Sequence, residues 1–569
     1  MAYSNNNDSD SDDKLEDVER WYRNAADNER NWRSLARKSH DYYHGDQIPD
    51  DLKKMMIARS QPPLKFNLIK SIVNLLTGQE IQGRTDIRFV GMEESDTLPS
   101  KLLTDIYRQK NEEQYYEYEV TNAFQDAVIG GRGVMYTDWD EEEKTIVREY
   151  VDWQEIFIDA CSKRRDYSDA QHVFRVKWVD KDVAIEQFPD YEDEINRVAS
   201  SKEFGSEDEV GEKPANRQKD EYFEDDFLDN PQKWSDPERE RVKLVEGWYY
   251  ELNDKKKRVL KHCIFASGTW IMEPEDFGRK HEEFPFIFTF FNRDRHGIPY
   301  GLVKDLIDPQ DVINRSFSKS MHILGTRQIF AEKGALANIA NVQQQINKPD
   351  AIINDFEDGA LSNGRIRIEE NRQDAQMAFQ MFDVGVTAMN RVSGVNPELQ
   401  GLHTNARSGT AISMRIRQGN TVLTSIYDCL EKMKKRSAEI FVYLMSQYMT
   451  DEEIMRYKLP NGQITELKLN GVVDQVIGNE VKSVRQNEVK DIHKYDIIIT
   501  ESAKSANATE SEFTQLVELV KAVPAAATPD FIAELIKSTH LPNKEDLAQS
   551  VLKMAGGAGG NADAQATPQ

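Results

Sequence analysis

The positions of apolar residues divide this chain into a run of helices and hairpins. From Lys14 to about His44, Leu15, Val18, Trp21, Tyr22, Ala25, Trp32, Leu35 and Ala36 recur at the spacing of a helix with one apolar face. The first 13 residues, mostly Asn, Ser and Asp, are expected to be disordered. After the turn QPPLKFN, residues 61–67, a helix is expected through Ile69, Ile72, Val73, Leu75 and Leu76, ending near Gly78. Residues 98–130 read as one long helix closed by Gly130-Gly131. Two hairpins follow by alternation and turn chemistry. One is VMYTDWDEEEKTIVREYV, and the other is VKLVEGWYYELNDKKKRVLKHCIFA, turning at Asn253-Asp254. Between them, residues 200–240 are dense in charge and poor in aliphatics, as in a surface insertion or long loop.

The middle of the chain changes character. Residues 299–325 carry Leu306, Ile313, Phe317, Met321 and Leu324 at spacings of seven, four, four and three, one helical stripe. Asp308-Pro309 predicts the helix start, a capping carboxylate followed by Pro at the first helical position. Capping and the helix dipole account for Asp308 and Asp311 without a metal, so the trio with Asp305 is not taken as a ligand set. Within residues 326–372 a helix is expected over Ala335–Asn347 and an exposed strand in GRIRIEE, residues 364–370. A second helix, about Gln373 to Val392, then returns toward the first. Helix, compact insert and returning helix make a stalk with a head. The longest helix runs from Gly409 to about Met449, on Ile412, Ile416, Leu423, Ile426, Leu430, Met433, Ile440, Leu444 and Tyr448. At 1.5 Å per residue it spans roughly 60 Å, the length of a strut in a large assembly. Short strands are expected in 451–505 with a turn at Asn461-Gly462, then helices Glu510–Val523 and Pro529–Thr539, then a Gly/Ala-rich tail. The pattern gives an α+β chain, mainly helical.

Composition narrows the function. The chain has 569 residues, too many for one ordinary core, so several subdomains are expected. A net charge of −26 argues against a surface built to hold nucleic acid tightly, while leaving room for transient contact. Three separated cysteines, Cys161, Cys263 and Cys429, form no CxxC pattern, and a reducing compartment fits. The N-terminus does not read as a signal peptide, and no stretch approaches 18 apolar residues, so a soluble cytosolic product with no membrane span is expected. His40 and His44 sit four apart on one helical face, but no further ligand adjoins them, and a packing or solvated role is expected. The signatures GxxxxGK[ST], GxGxxG and HExxH are absent.

The stretch GLHTNARSGTAI gathers phosphate-bonding groups, His403, Asn405, Arg407 and Ser408. It follows a helix rather than a buried strand, so it lacks the geometry of a nucleotide cradle. Ser408 reads as a cap for the helix that starts at Gly409. No enzymatic activity and no cofactor are expected.

The order of these parts resembles the portal proteins (head-to-tail connectors) of short-tailed double-stranded DNA phages, over most of the length. The residues that carry it are YGLVKDLIDPQDVINRSFSKSMHIL, then SGVNPELQGLHTNARSGTAISMRIRQGN, residues 393–420, and upstream residues 124–174. The resemblance implies a ring, usually twelve-fold, at one capsid vertex. It implies a wing of residues 14–298, stem helices 299–325 and 373–392, and a clip of 326–372. Residues 393–408 become a tunnel loop, 409–450 a long wing helix, 451–505 wing strands, 506–554 crown helices and 555–569 a flexible tail. A long barrel beyond the crown, found in some relatives, is not expected here. The tunnel loop would place Gly401, Leu402, His403, Thr404, Asn405, Ala406, Arg407 and Ser408 beside passing DNA. Arg407 and His403 would touch phosphates without reading sequence, or Arg407 would pair with a neighbouring subunit's carboxylate. Stem packing would fall to Leu306, Ile313, Phe317, Met321, Met377, Met381 and Met389, and partner binding at the clip to Lys333, Arg365 and Arg367. Implied partners are further copies of the chain, the terminase large subunit, a tail adaptor or head-completion protein, the major capsid and scaffolding proteins, and DNA in transit. The alternatives are an acidic cytosolic scaffolding or adaptor protein and a DNA-packaging enzyme subunit.

Overall fold

The computed structural model describes residues 5–59, 61–91, 97–164, 166–200, 233–236, 239–253, 255–325, 328–345, 356–369, 372–395 and 409–449. Beyond these it describes 453–458, 464–469, 471–477, 480–486 and 497–503, with Ile536 and Ser550. Helix α1 (Asn5–His44) leads into α2 (Asp50–Ala58) and α3 (Leu68–Gln82). The first helix starts well before Lys14, through residues expected to be disordered. Acidic residues are frequent in this first stretch of sequence, and negative charge near a helix N-terminus favours the helix. Asn67 caps α3 by accepting from Lys70 N at 3.1 Å. That helix runs through Gly78, whose Cβ position is open, and stops at Gly83 rather than near Gly78.

Strand β1 (Thr85–Gly91) precedes α4 (Thr97–Glu113) and α5 (Tyr116–Ile129), which are two helices where one was expected. Tyr115 breaks the run with a left-handed φ of 51°. Arg148, buried and far along the chain, sets this break: its Nη1 donates to Asn111 Oδ1 at 2.6 Å and its Nε to Gln114 Oε1 at 3.1 Å. Its guanidinium also lies over the rings of Tyr107 and Tyr116. Both tyrosines reach one cation only if the helix bends between them.

Strands β2 (Arg132–Asp140) and β3 (Thr145–Val151) form the first expected hairpin, and β10 (Phe286–Phe290) completes their sheet on the other side of β2. A larger sheet has the order β4 (Ile156–Ile158), β5 (His172–Asp180), β7 (Arg241–Leu252), β8 (Arg258–Ala266) and β9 (Thr269–Asp276). The second expected hairpin is β7–β8, with Asn253 Oδ1 accepting from the amides of Lys255 and Lys257 at its turn. A two-residue strand, β6 (Ser235–Asp236), pairs with β7, so the end of the charged insertion adds an edge to the sheet rather than staying a surface loop. Residues 201–232 of that insertion lie outside the described residues. Helices α6 (Lys181–Gln187) and α7 (Glu192–Ser200) cover one side of this sheet through Ala184, Ile195 and Val198. The other side receives α1 through Leu15, Val18, Tyr22 and Ala25.

One buried charge cluster fixes α1 to the sheets. Glu29 accepts from Arg132 Nη1 at 2.6 Å and pairs with Arg33 at 3.1 Å, while both arginines also donate to the Ile156 carbonyl. His40, on the same helix, stacks on Trp153 at 5.6 Å and is held neutral by burial, its pKa pushed down to about 4. His40 thus packs.

The remaining elements are the hairpin β11 (Asn292–Arg293) and β12 (Pro299–Tyr300), helix α8 (Leu302–Gly325), strand β13 (Gln328–Ala331), helix α9 (Ile339–Gln345), strand β14 (Ile366–Glu369), helix α10 (Arg372–Ser393) and helix α11 (Gly409–Tyr448). Strands β15 (Glu453–Lys458) and β16 (Ile464–Leu469) pair, as do β17 (Gly471–Ile477) and β18 (Glu480–Gln486). Strand β19 (Ile497–Ala503) returns to pair with β1 across the length of the chain. The C-terminal half of α11 lies in the largest core, where Ile426, Leu430, Met433, Ile440 and Leu444 meet residues of α3, α4, α5 and α8. The helices expected at Glu510–Val523 and Pro529–Thr539 and the Gly/Ala tail lie outside the described residues, Ile536 apart.

Candidate functional site

The stalk is built from α8 and α10. Helix α8 starts at Leu302, not at Pro309, which lies inside it. The capping role expected for Asp308 is therefore overturned. The first turns are held by Leu302, Val303, Leu306 and Ile307 in the main core, and that burial outweighs the hydrogen bond Pro309 cannot make. Asp311 accepts from the Tyr42 hydroxyl at 2.7 Å and pairs with Arg315 at 3.2 Å, so its carboxylate is taken up within the protein.

Helices α8 and α10 run antiparallel: Ile313 meets Gly385 while Phe317 meets Phe382, ring centroids 5.7 Å apart. A Cβ on Gly385 would stand 2.7 Å from Ile313 Cγ1, so glycine lets the two backbones approach. Ala375 and Ala378 are buried on the same side of α10.

A polar ladder on α8 was not read from the sequence. Gln310, Asn314 and Ser318, four residues apart and buried, face the extended segment 64–68. Ser318 Oγ accepts from Leu64 N at 3.1 Å, Asn314 Oδ1 from Phe66 N at 2.9 Å and Gln310 Oε1 from Leu68 N at 3.1 Å. Gln310 Nε2 donates to Phe66 O at 2.7 Å, and Asn314 Nδ2 donates to Gln47 Oε1 at 2.7 Å. Side chains on a helix thus serve alternate residues of an extended chain as a neighbouring strand would. The available signal was the i, i+4, i+8 spacing of polar groups beside an apolar stripe.

The seven residues expected to pack the stem divide. Leu306, Ile313 and Met389 are buried inside this chain's own core, so they are not surface for a neighbouring copy. Phe317 is half-buried against Phe66 and Phe382. Met321, Met377 and Met381 are exposed, the last two by 61% and 52%. Val384 and Val392, outside the expected set, continue the stripe on α10 at 59% and 48%. Met377, Met381, Val384 and Val392 fall on one helical face by spacing.

At the stalk's far end β13 pairs with β14 over a small core of Ala335, Ala360 and Ile366, with Ile329, Leu336 and Phe356 against it. The expected helix starts at Ile339 rather than Ala335, its expected end at Asn347 lies outside the described residues, and β13 was not anticipated. Lys333 and Arg367 are exposed, and Arg365 pairs with Glu332 at 3.2 Å. After α10, Gly394 turns with φ 70° and Val395 is buried. The residues from 396 to 408, including Gly401, Leu402, His403, Thr404, Asn405, Ala406, Arg407 and Ser408, lie outside the described residues. Among the described residues no cluster of His, Cys, Asp and Glu is arranged to hold a metal ion, and no helix is long and apolar enough to cross a membrane.

A mixed α+β body, a helical stalk with a small head and a strut of about 60 Å agree with a bacteriophage portal, or head-to-tail connector, a class of structural protein. The family model for phage P22-like portal proteins matches residues 19–569, and the chain belongs to that family. It is also 22% identical over 519 residues, covering 90% of this chain and 77% of the relative, to a portal protein of Helicobacter pylori bacteriophage KHP30.

Proposed function

We propose that the chain assembles into a closed ring of about twelve copies at one capsid vertex, and that double-stranded DNA passes through the ring during packaging and ejection. The observation that carries this reading is the exposed stripe of Met377, Met381, Val384 and Val392 on α10, which its own chain leaves uncovered. A neighbouring stalk in a ring supplies the missing cover. Wing, stem and clip then correspond to residues 14–298, to α8 and α10, and to 326–372. Residues 393–408 act as a tunnel loop, a finger that follows the DNA surface without fixing it, with Arg407 and His403 touching phosphates. With each copy at −26, the ring is strongly acidic, and sparse cations let a polyanion slide instead of stalling it. The ring works as a conduit and carries out no catalysis.

The head docks the terminase large subunit first and a tail adaptor or head-completion protein later, while the wing meets the major capsid and scaffolding proteins. Exchanging Lys333 and Arg367 for glutamate is expected to weaken binding of the motor or adaptor while the ring still forms. Native mass spectrometry of the purified chain tests the assembly itself: a closed ring of about twelve is expected, and a stable monomer at micromolar concentration contradicts it.

A further inference from the structure

Two turns and the start of α8 bring together cations that face no carboxylate. Arg293 joins the turns. Its Nε donates to Gly297 O at 2.6 Å, its Nη1 donates to the carbonyl of Arg164, and its guanidinium lies over the rings of Tyr167 and Phe290. Each turn is fixed by a carboxylate that accepts backbone amides. Asp169 takes Lys163 N at 2.8 Å and Arg164 N at 3.2 Å, and Asp294 takes His296 N at 2.8 Å and Ile298 N at 2.9 Å. The side chains of Lys163, Arg164 and Arg295 are left exposed, and Lys304, on the first turn of α8, lies close enough to act electrostatically on Asp294. Among the described residues, none of Lys163, Arg164, Arg293, Arg295 and Lys304 has a carboxylate oxygen within 4.0 Å.

That is an unusual neighbourhood in a chain with 99 acidic and 73 basic residues, where a surface cation ordinarily finds a carboxylate. We propose that Lys163, Arg164, Arg293, Arg295 and Lys304 form a second, sequence-independent contact for the phosphate backbone of double-stranded DNA, separate from the tunnel loop. Three of the five are arginines, whose planar forks match phosphate oxygens. The aromatic rings nearby are covered, Tyr167 beneath Arg293 and Tyr300 beneath Lys304 at 4.4 Å, so no exposed ring is offered to a base. A protein partner would want an apolar centre, and here the exposed apolar contribution is Ile298 alone among the residues of the patch. The proposal rests on the portal reading only for the presence of DNA nearby.

The test uses the full-length protein and short fluorescent duplexes of two unrelated sequences, titrated by anisotropy over a range of salt. The wild type is expected to bind both duplexes equally. The variant carrying Lys163→Gln, Arg164→Gln and Arg295→Gln is expected to bind roughly tenfold more weakly at low salt, with the slope of log K against log salt reduced by about 3. Arg293 is left in place because it holds the turns together, and Lys14→Gln with Lys54→Gln serves as a control that leaves binding unchanged. Equal binding by wild type and triple variant overturns the proposal, as does no duplex binding by the wild type. Loss of the ring in the triple variant also overturns it, because the patch is then a contact between copies. Native mass spectrometry of the same preparations reports on the ring separately: a monomer whose patch still binds duplex sinks the portal reading and leaves this one standing.

Discussion

Replacing Asn314 with leucine tests whether the polar ladder of α8 holds the segment 64–68 in place. The substitution keeps the number and branching of side-chain heavy atoms but removes the acceptor for Phe66 N and the donor to Gln47 Oε1. Gln310 Nε2 keeps Phe66 O, so it is not orphaned. Each group left without a partner costs about 1–3 kcal/mol when buried. Gln47 is 2% exposed and bears that cost in full, whereas the Phe66 amide, only partly buried, regains some of it from water. Hydrogen exchange reads the Phe66 site directly: a loss of about 1–3 kcal/mol in local opening is roughly 5- to 150-fold faster exchange in a peptide covering 62–68. Gln47→Leu is the control, since it disturbs the same cluster while leaving the Phe66–Asn314 bond in place. Exchange at Phe66 within about twofold of wild type in Asn314→Leu would refute the claim that the ladder anchors this segment.

Gly385→Ala is expected to loosen the stalk by about 1–3 kcal/mol, visible as faster proteolysis of α8 and α10, and to cost less in an Ile313→Ala background; equal costs in the two backgrounds would remove Ile313 as the cause. His262 stacks on Trp248 at 4.7 Å, and burial pushes its pKa down from 6.5 to about 4. The unfolded chain therefore takes up a proton below pH 6.5 that the folded chain refuses until about pH 4, so stability is full above that window and falls as pH drops through it. His262→Phe should flatten that acid loss by up to about 1.4 kcal/mol per pH unit in denaturant titrations, and an unchanged pH profile would contradict the assignment. Deleting residues 402–407 should leave the ring intact while packaging of full-length DNA suffers; failure to form rings would make the segment an interface element.

The parts that were legible in the sequence are those fixed by local chemistry. Both hairpins, β2–β3 and β7–β8, announce themselves through alternation and short polar turns. Helix α10 and the strut α11 follow from stripes long enough to be unambiguous. What failed was decided by residues far away. The bend at Tyr115 belongs to Arg148 on β3, and Pro309 was read as a helix start because nothing local shows that Leu302, Val303 and Leu306 are buried. Strand β13 escaped because its partner, β14, lies beyond an intervening helix. At the stalk, a single apolar stripe was read as one surface, but a helix packed on two sides divides it. Ile313 and Met389 serve the chain's own core, while Met377 and Met381 stay outside. Periodicity gives the direction in which a side chain points and not what lies there.

Single-particle electron microscopy of the purified protein shows whether its stalks pack side by side in a ring. A ring of about twelve copies around an open channel is expected, with α8 and α10 of adjacent copies packed side by side and Met377, Met381, Val384 and Val392 covered at each contact. A monomer, or a ring in which that stripe of α10 stays open to solvent, would contradict it.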